Sequence, residues 1–86
     1  MARLSNFLGI VIYMYYRNHS PPHFQPEYKE FNAKISIHTN ELLEGKLPPR
    51  VFGLVTEWAS LHKDKLMTNW NLMKEGKELQ PIEPLD

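Results

Sequence analysis

Cysteine is absent from the 86 residues, which excludes disulfides, thiolate metal sites and a cysteine nucleophile and fits a reducing cytoplasm. Glycine is scarce, at four residues, and none sits in a phosphate-cradling loop. A metalloprotease helix motif and a serine nucleophile elbow are missing as well. Charge of one sign is also lacking. Ten basic and ten acidic residues cancel, so no global positive field draws the chain to nucleic acid. The longest apolar run, Phe7 to Tyr16, is only ten residues, about half of the roughly 20 needed to span a bilayer. Arg3 ahead of that run imitates a secretory signal, but no small-residue cleavage site follows and Arg17-Asn18-His19 closes it. The expectation is a cytoplasmic protein with no membrane association.

What is present is an ordinary globular mixture, 42% hydrophobic and 23% charged, in a length that suits one domain over residues 1–86. A domain of this size removes only about 60 to 65% of its unfolded surface from water. Its stability margin is thin, so homodimerisation or partner binding would help. Residues 1–40 hold four basic against two acidic side chains and three of the four histidines. That weak surplus permits an anionic ligand near the first half without requiring one.

Ile10 to Tyr16 is rich in β-branched and aromatic residues and apolar on both alternating faces, as in a central strand. Pro21-Pro22 ends it in a loop. In His23–Tyr28, Phe24 and Tyr28 share one face and His23, Gln25 and Glu27 the other, while Pro26 predicts an edge or bulged strand. Phe31, Ala33, Ile35 and Ile37 alternate with polar residues, which predicts a strand wet on one side. Lys29-Glu30 is the hairpin turn between these two. Neither residue accepts a positive φ easily, so the turn is strained or the loop longer. Leu42 to Leu47 offers a short further strand, weakened by Gly45.

After Pro48-Pro49 the period changes. Val51, Val55, Trp58, Ala59, His62, Leu66, Trp70 and Met73 recur at spacings of three and four, which predicts an amphipathic helix over about 49–75 with Gly76 as its left-handed terminator. At about 1.5 Å per residue it would span roughly 40 Å. It either overhangs its sheet or breaks near Lys63-Asp64. An overhang would leave Leu66, Trp70 and Met73 for a partner or a second copy. The tail 77–86, with two prolines, runs extended. The fold expected is α+β: a three- or four-stranded, mainly antiparallel sheet, with strands within 7–47, packed on one long C-terminal helix.

The most chemical stretch is Arg17-Asn18-His19-Ser20-Pro21-Pro22-His23. A stiff proline turn fixes two imidazoles relative to each other, as a general acid and base require. His19 and His23 as acid and base, with Arg17 or Lys34 on the phosphate, have the residue types for metal-independent RNA cleavage without a cofactor. A metal site would need Glu27 or His38 as a third ligand and has no thiolate to complete it. The bland alternative is a tight turn whose rings bond to backbone. Tyr13, Tyr15, Tyr16, Phe24 and Tyr28 have the chemistry to stack on bases, although aromatics at strand spacing more often form core. His62, on the apolar stripe, reads as a core histidine.

Phe7-Leu8-Gly9-Ile10-Val11-Ile12-Tyr13-Met14-Tyr15, His19-Ser20-Pro21-Pro22-His23-Phe24, Leu43-Glu44-Gly45-Lys46-Leu47-Pro48 and Glu57-Trp58-Ala59-Ser60-Leu61-His62 together resemble the small bacterial family catalogued as domain of unknown function forty-one-sixty. The resemblance covers residues 7 to about 85. Its signature falls on Gly9, His19, Pro21, Pro22, His23, Phe24, Glu57 and Trp58. Gln25 stands where many members carry another histidine, and Lys29-Glu30 where they carry a Gly-rich turn. The resemblance implies a setting beside a second small protein, of domain-of-unknown-function family twenty-four-forty-two, in pairs that look like toxin and antitoxin. It implies that this chain is the toxin-like member. The function expected is action on RNA or translation through the His19 to His23 turn, neutralised by the antitoxin-like partner. The alternative is a non-catalytic interaction module in which that turn is structural.

Overall fold

The computed structural model describes residues 2–15 and 21–85. Among these residues five strands, β1 (Ala2–Phe7), β2 (Ile10–Met14), β3 (His23–Tyr28), β4 (Phe31–Ser36) and β5 (Leu42–Lys46), precede two helices, α1 (Pro49–Leu61) and α2 (Lys63–Lys74). The strands form one antiparallel sheet in the order β1-β2-β3-β4-β5. The fold is therefore α+β, with five strands in place of three or four and two helices in place of one.

The additional strand is β1, whose residues Arg3, Ser5 and Asn6 interrupt any apolar alternation. Leu8-Gly9, both at positive φ (53° and 80°), split the run from Phe7 into two strands. Positive φ at both central positions is what a tight β-hairpin needs. Leu8 is an unusual occupant, since a branched side chain in the left-handed region is strained. In β2 only one face is fully buried, through Ile10, Ile12 and Met14, whereas Val11 and Tyr13 are half-buried. Lys29-Glu30 does close a two-residue hairpin, with Tyr28 opposite Phe31 and Lys29 at φ 54°. The Lys29 ammonium lies 5.3 Å from the centre of the Tyr28 ring, a cation–π contact that helps hold the strained turn.

Contrary to the edge or bulge expected from Pro26, β3 is the middle strand. Pro26 faces Ile12 on the β2 side, while pairing with β4 runs through His23, Phe24, Glu27 and Tyr28 and lapses at Gln25 and Pro26. The missing N–H falls in that gap, which removes the usual objection to proline inside a sheet. The register also shifts between Arg3 and Ser5, and again between Lys34 and Ile35. Leu4 and Leu43 are the extra residues on their respective strands. At the second bulge Gly45 adopts φ +86°, and a Cβ there would lie 2.7 Å from the Ala33 Cα. Glycine is what lets β5 approach β4.

The helices cover one face of the sheet through a single core in which Trp58 is fully buried. Its ring lies 5.6 Å from Phe7, 6.0 Å from Phe24 and 5.6 Å from His62, centre to centre. Pro49 opens α1 at a position where its lack of an N–H costs nothing. The long helix breaks at His62, with φ −125° and ψ 27°. An unbroken helix over 49–74 would reach about 39 Å at roughly 1.5 Å per residue, longer than the 34 Å greatest extent of the molecule. The break instead returns Leu66 and Trp70 to the core, at 0% and 4% exposure. It is braced by Lys63, whose ammonium donates to the His38 carbonyl at 2.9 Å, and by Asn40, which donates to the Ser60 hydroxyl at 3.0 Å. Gly76, at φ +71°, ends α2, with the Lys77 N–H donating to the Leu72 carbonyl at 2.9 Å.

Candidate functional site

Pro21 and Pro22 lead into β3, and His23 is that strand's first residue. His23 and Phe24 are both 0% exposed, so the in-and-out alternation fails at this end of the strand. The His23 ring packs against Trp70 of α2, 5.2 Å centre to centre at 56°. Its Nδ1 lies 3.0 Å from the Pro21 carbonyl oxygen. A carbonyl only accepts, so Nδ1 carries a proton. Nε2 lies 3.5 Å from the Gln25 side-chain nitrogen. Both ring nitrogens are therefore directed at the chain itself.

The uncovered face of the sheet carries a different chemistry. One row crosses it through Arg3 and Tyr13, Tyr13 and Gln25, then Lys34 and Glu44. A second row places Asn6 beside Val11, Val11 beside Glu27, Glu27 beside Asn32 and Asn32 beside Lys46. Tyr13 stacks on Tyr15 at 6.0 Å and 22°. These two tyrosines are half-buried on the open face, which corrects the expectation that they are core; Phe24, at 0% exposure, does belong to the core. Partial burial, then the negative charge of the Glu27 carboxylate and of the Tyr13 hydroxyl as it ionises, push the Tyr15 hydroxyl above its ordinary ionisation range. The Lys34 ammonium bonds to Glu44 at 3.0 Å. Both line an open cavity of about 170 Å³ with Gln25, Asn32, Ala33 and Gly45, at the place where β3 and β4 part.

Of the residues predicted from sequence as catalytic, Arg17 and His19 lie outside the described residues. His23 and Lys34 are on neighbouring strands, but one is sealed against Trp70 and the other is engaged by Glu44. Gln25 is the side chain between them, beside His23 and in the Lys34 cavity. No three metal-ligating side chains converge among the described residues. The residues expected to meet a partner from an overhanging helix are placed otherwise: Leu66 and Trp70 are inside the chain's own core, and Met73 packs against it. The break at His62 is the reason, because it abolishes the overhang. No helix among the described residues is long and apolar enough to cross a membrane.

Sequence reasoning missed Asn69, which is 2% exposed. Its amide bonds both main-chain groups of Gln80, accepting from N–H at 2.7 Å and donating to the carbonyl at 3.0 Å. Its place on the apolar stripe, three residues after Leu66, was the available signal. The family model described as Domain of unknown function (DUF4160) matches residues 9–71. No curated protein and no solved structure matches the chain.

Proposed function

The chain belongs to the DUF4160 family, and from that premise we propose that it is a non-catalytic interaction module of a bacterial two-protein, toxin–antitoxin-like pair. The observation that carries this reading is His23: fully buried, stacked on Trp70 and bonded through Nδ1 to Pro21. An imidazole buried against Trp70, with both nitrogens facing the chain's own groups, favours a structural role over acid-base work on a phosphodiester. The binding surface is the open face of the sheet. It offers Tyr13 and Tyr15, a residue type favoured at protein interfaces. The charges beside them are mixed, Arg3, Lys34 and Lys46 against Glu27 and Glu44, which suits a protein surface better than a polyanion.

The test is co-expression of the chain with its genomic neighbour, followed by co-purification and a growth assay. Replacing Tyr13 and Tyr15 by serine should abolish co-purification while leaving the thermal midpoint within a few degrees. Co-purification unaffected by the double change would remove the open face from consideration. Growth arrest by the chain alone, lost in a His23→Ala variant of unchanged stability, would restore the toxin reading and send the search to cleaved RNA.

A further inference from the structure

From Lys77 to Leu85 the described chain has no regular structure, yet it is held as a bound peptide is held. Asn69 takes both main-chain groups of Gln80, at 2.7 and 3.0 Å. The Ile82 N–H donates to the Leu4 carbonyl at 2.8 Å, and the Trp58 indole N–H donates to the Glu83 carbonyl at 2.8 Å. The Ile82 side chain is the anchor, 4% exposed within the core. Pro81 and Pro84 stand at positions where no N–H is needed, and the readers themselves, Asn69 and Trp58, are buried and therefore fixed in place.

None of these bonds depends on the covalent link to α2. The readers lie on β1, α1 and α2, and the connection is Glu75 to Glu78, exposed throughout. Within it Gly76 has open space around it. A second copy of the chain presents the same segment with the same groups to the same seat. We propose that the groove exchanges its occupant: residues 79–85 of one copy seat in the groove of another, giving a dimer in which each chain holds the other's tail. The seated tail makes the same bonds in the dimer as in the monomer, so the balance rests on the hinge and on concentration. A short link of this kind gives the chain's own tail an effective concentration of roughly millimolar. Exchange therefore becomes prominent as the protein approaches that concentration.

The chain lacks cysteine, which makes a disulfide trap clean. Asn6 and Pro84 line one cavity of about 280 Å³ between β1 and the tail. Full-length Asn6→Cys and full-length Pro84→Cys are mixed at high concentration, equilibrated, and oxidised mildly. The control replaces the first with Lys46→Cys, exposed on β5 at the far edge of the sheet. Exchange predicts a cross-linked heterodimer at about tenfold the control yield, rising with concentration as the tail's own effective concentration is approached. Equal yields from the two mixtures overturn the proposal. Sedimentation of the unaltered chain provides a second reading free of any folding defect. A dimer that grows with concentration supports exchange, and a monomer up to millimolar concentration refutes it.

Discussion

Replacing His23 by alanine separates a structural histidine from a catalytic one, because the two roles predict opposite stabilities. The ring is 0% exposed and lies 5.2 Å from Trp70. Its removal leaves a cavity about the size of an imidazole, a change that costs about 3–5 kcal/mol when a buried phenyl ring is lost. A polar ring is less favourably buried, which lowers the figure; the Pro21 carbonyl, losing the partner at 3.0 Å, raises it by about 1 kcal/mol. The expected loss is about 2–4 kcal/mol. In a domain of this length each kcal/mol moves the thermal midpoint by about 4–8 °C, so the variant should melt at least about 8 °C below the natural chain. Far-UV circular dichroism against temperature, with a urea titration to give the free energy at constant slope, measures it. A midpoint within a degree or two of the natural value would refute the structural role. Loss of a biological activity at unchanged stability would point to chemistry.

Four further outcomes follow from the backbone and from one hydroxyl. Gly45→Ala should destabilise by at least about 2 kcal/mol, because it adds a side chain at positive φ and against the β4 backbone. Gly53→Ala, in a helix with nothing within 4 Å, should stabilise by about 0.5–1 kcal/mol, so equal effects in the two urea titrations would contradict the assignment. Leu8→Asn should stabilise by about 1 kcal/mol by relieving a strained apolar side chain at a hairpin tip that is 63% exposed; a lower melting temperature would show that Leu8 makes a contact worth more than its strain. In ultraviolet titration Tyr15 should ionise above the ordinary tyrosine range, and Glu27→Gln should lower it without restoring the ordinary value, since burial is the larger cause. The folded state holds that proton more tightly than the unfolded chain, so Tyr15 contributes stability that is complete below the ordinary tyrosine range and is lost as pH rises from that range through the raised folded-state value. A Tyr15 ionisation unmoved by Glu27→Gln would count against the electrostatic contribution.

β4 is legible in the sequence because Phe31, Ala33 and Ile35 alternate with polar residues, with Ile37 continuing the period just past its end. The start of α1 is legible because two prolines and a change of period coincide. The turn at Lys29 is legible together with its strain. β1 is not readable, since a bulged edge strand with Arg3, Ser5 and Asn6 has no period to detect. The facing of Tyr13 and Tyr15 is beyond reach for a different reason: a run apolar on both sides does not say which side the helices will cover. The break at His62 has no proline or glycine to announce it; only the length of a continuous helix against its sheet points to a break near Lys63-Asp64, and it leaves an overhang as the other alternative. His23 is buried by a residue 47 positions later, and no local pattern carries that information.

Both edges of the sheet end in irregularity. The extra residue in β1 gives its carbonyl to Ile82, and β5 carries its own extra residue beside Gly45, with Glu44 and Lys46 along the rim. A flat edge would be a template on which another strand could zip up, the first step toward ribbons and fibrils. Here neither margin offers a continuous ladder. Five strands are thus a natural end point rather than a segment of something larger, and crowding copies together should leave the sheet no wider. Deleting Leu43 would straighten β5 and remove that protection, turning a margin that repels strands into one that recruits them.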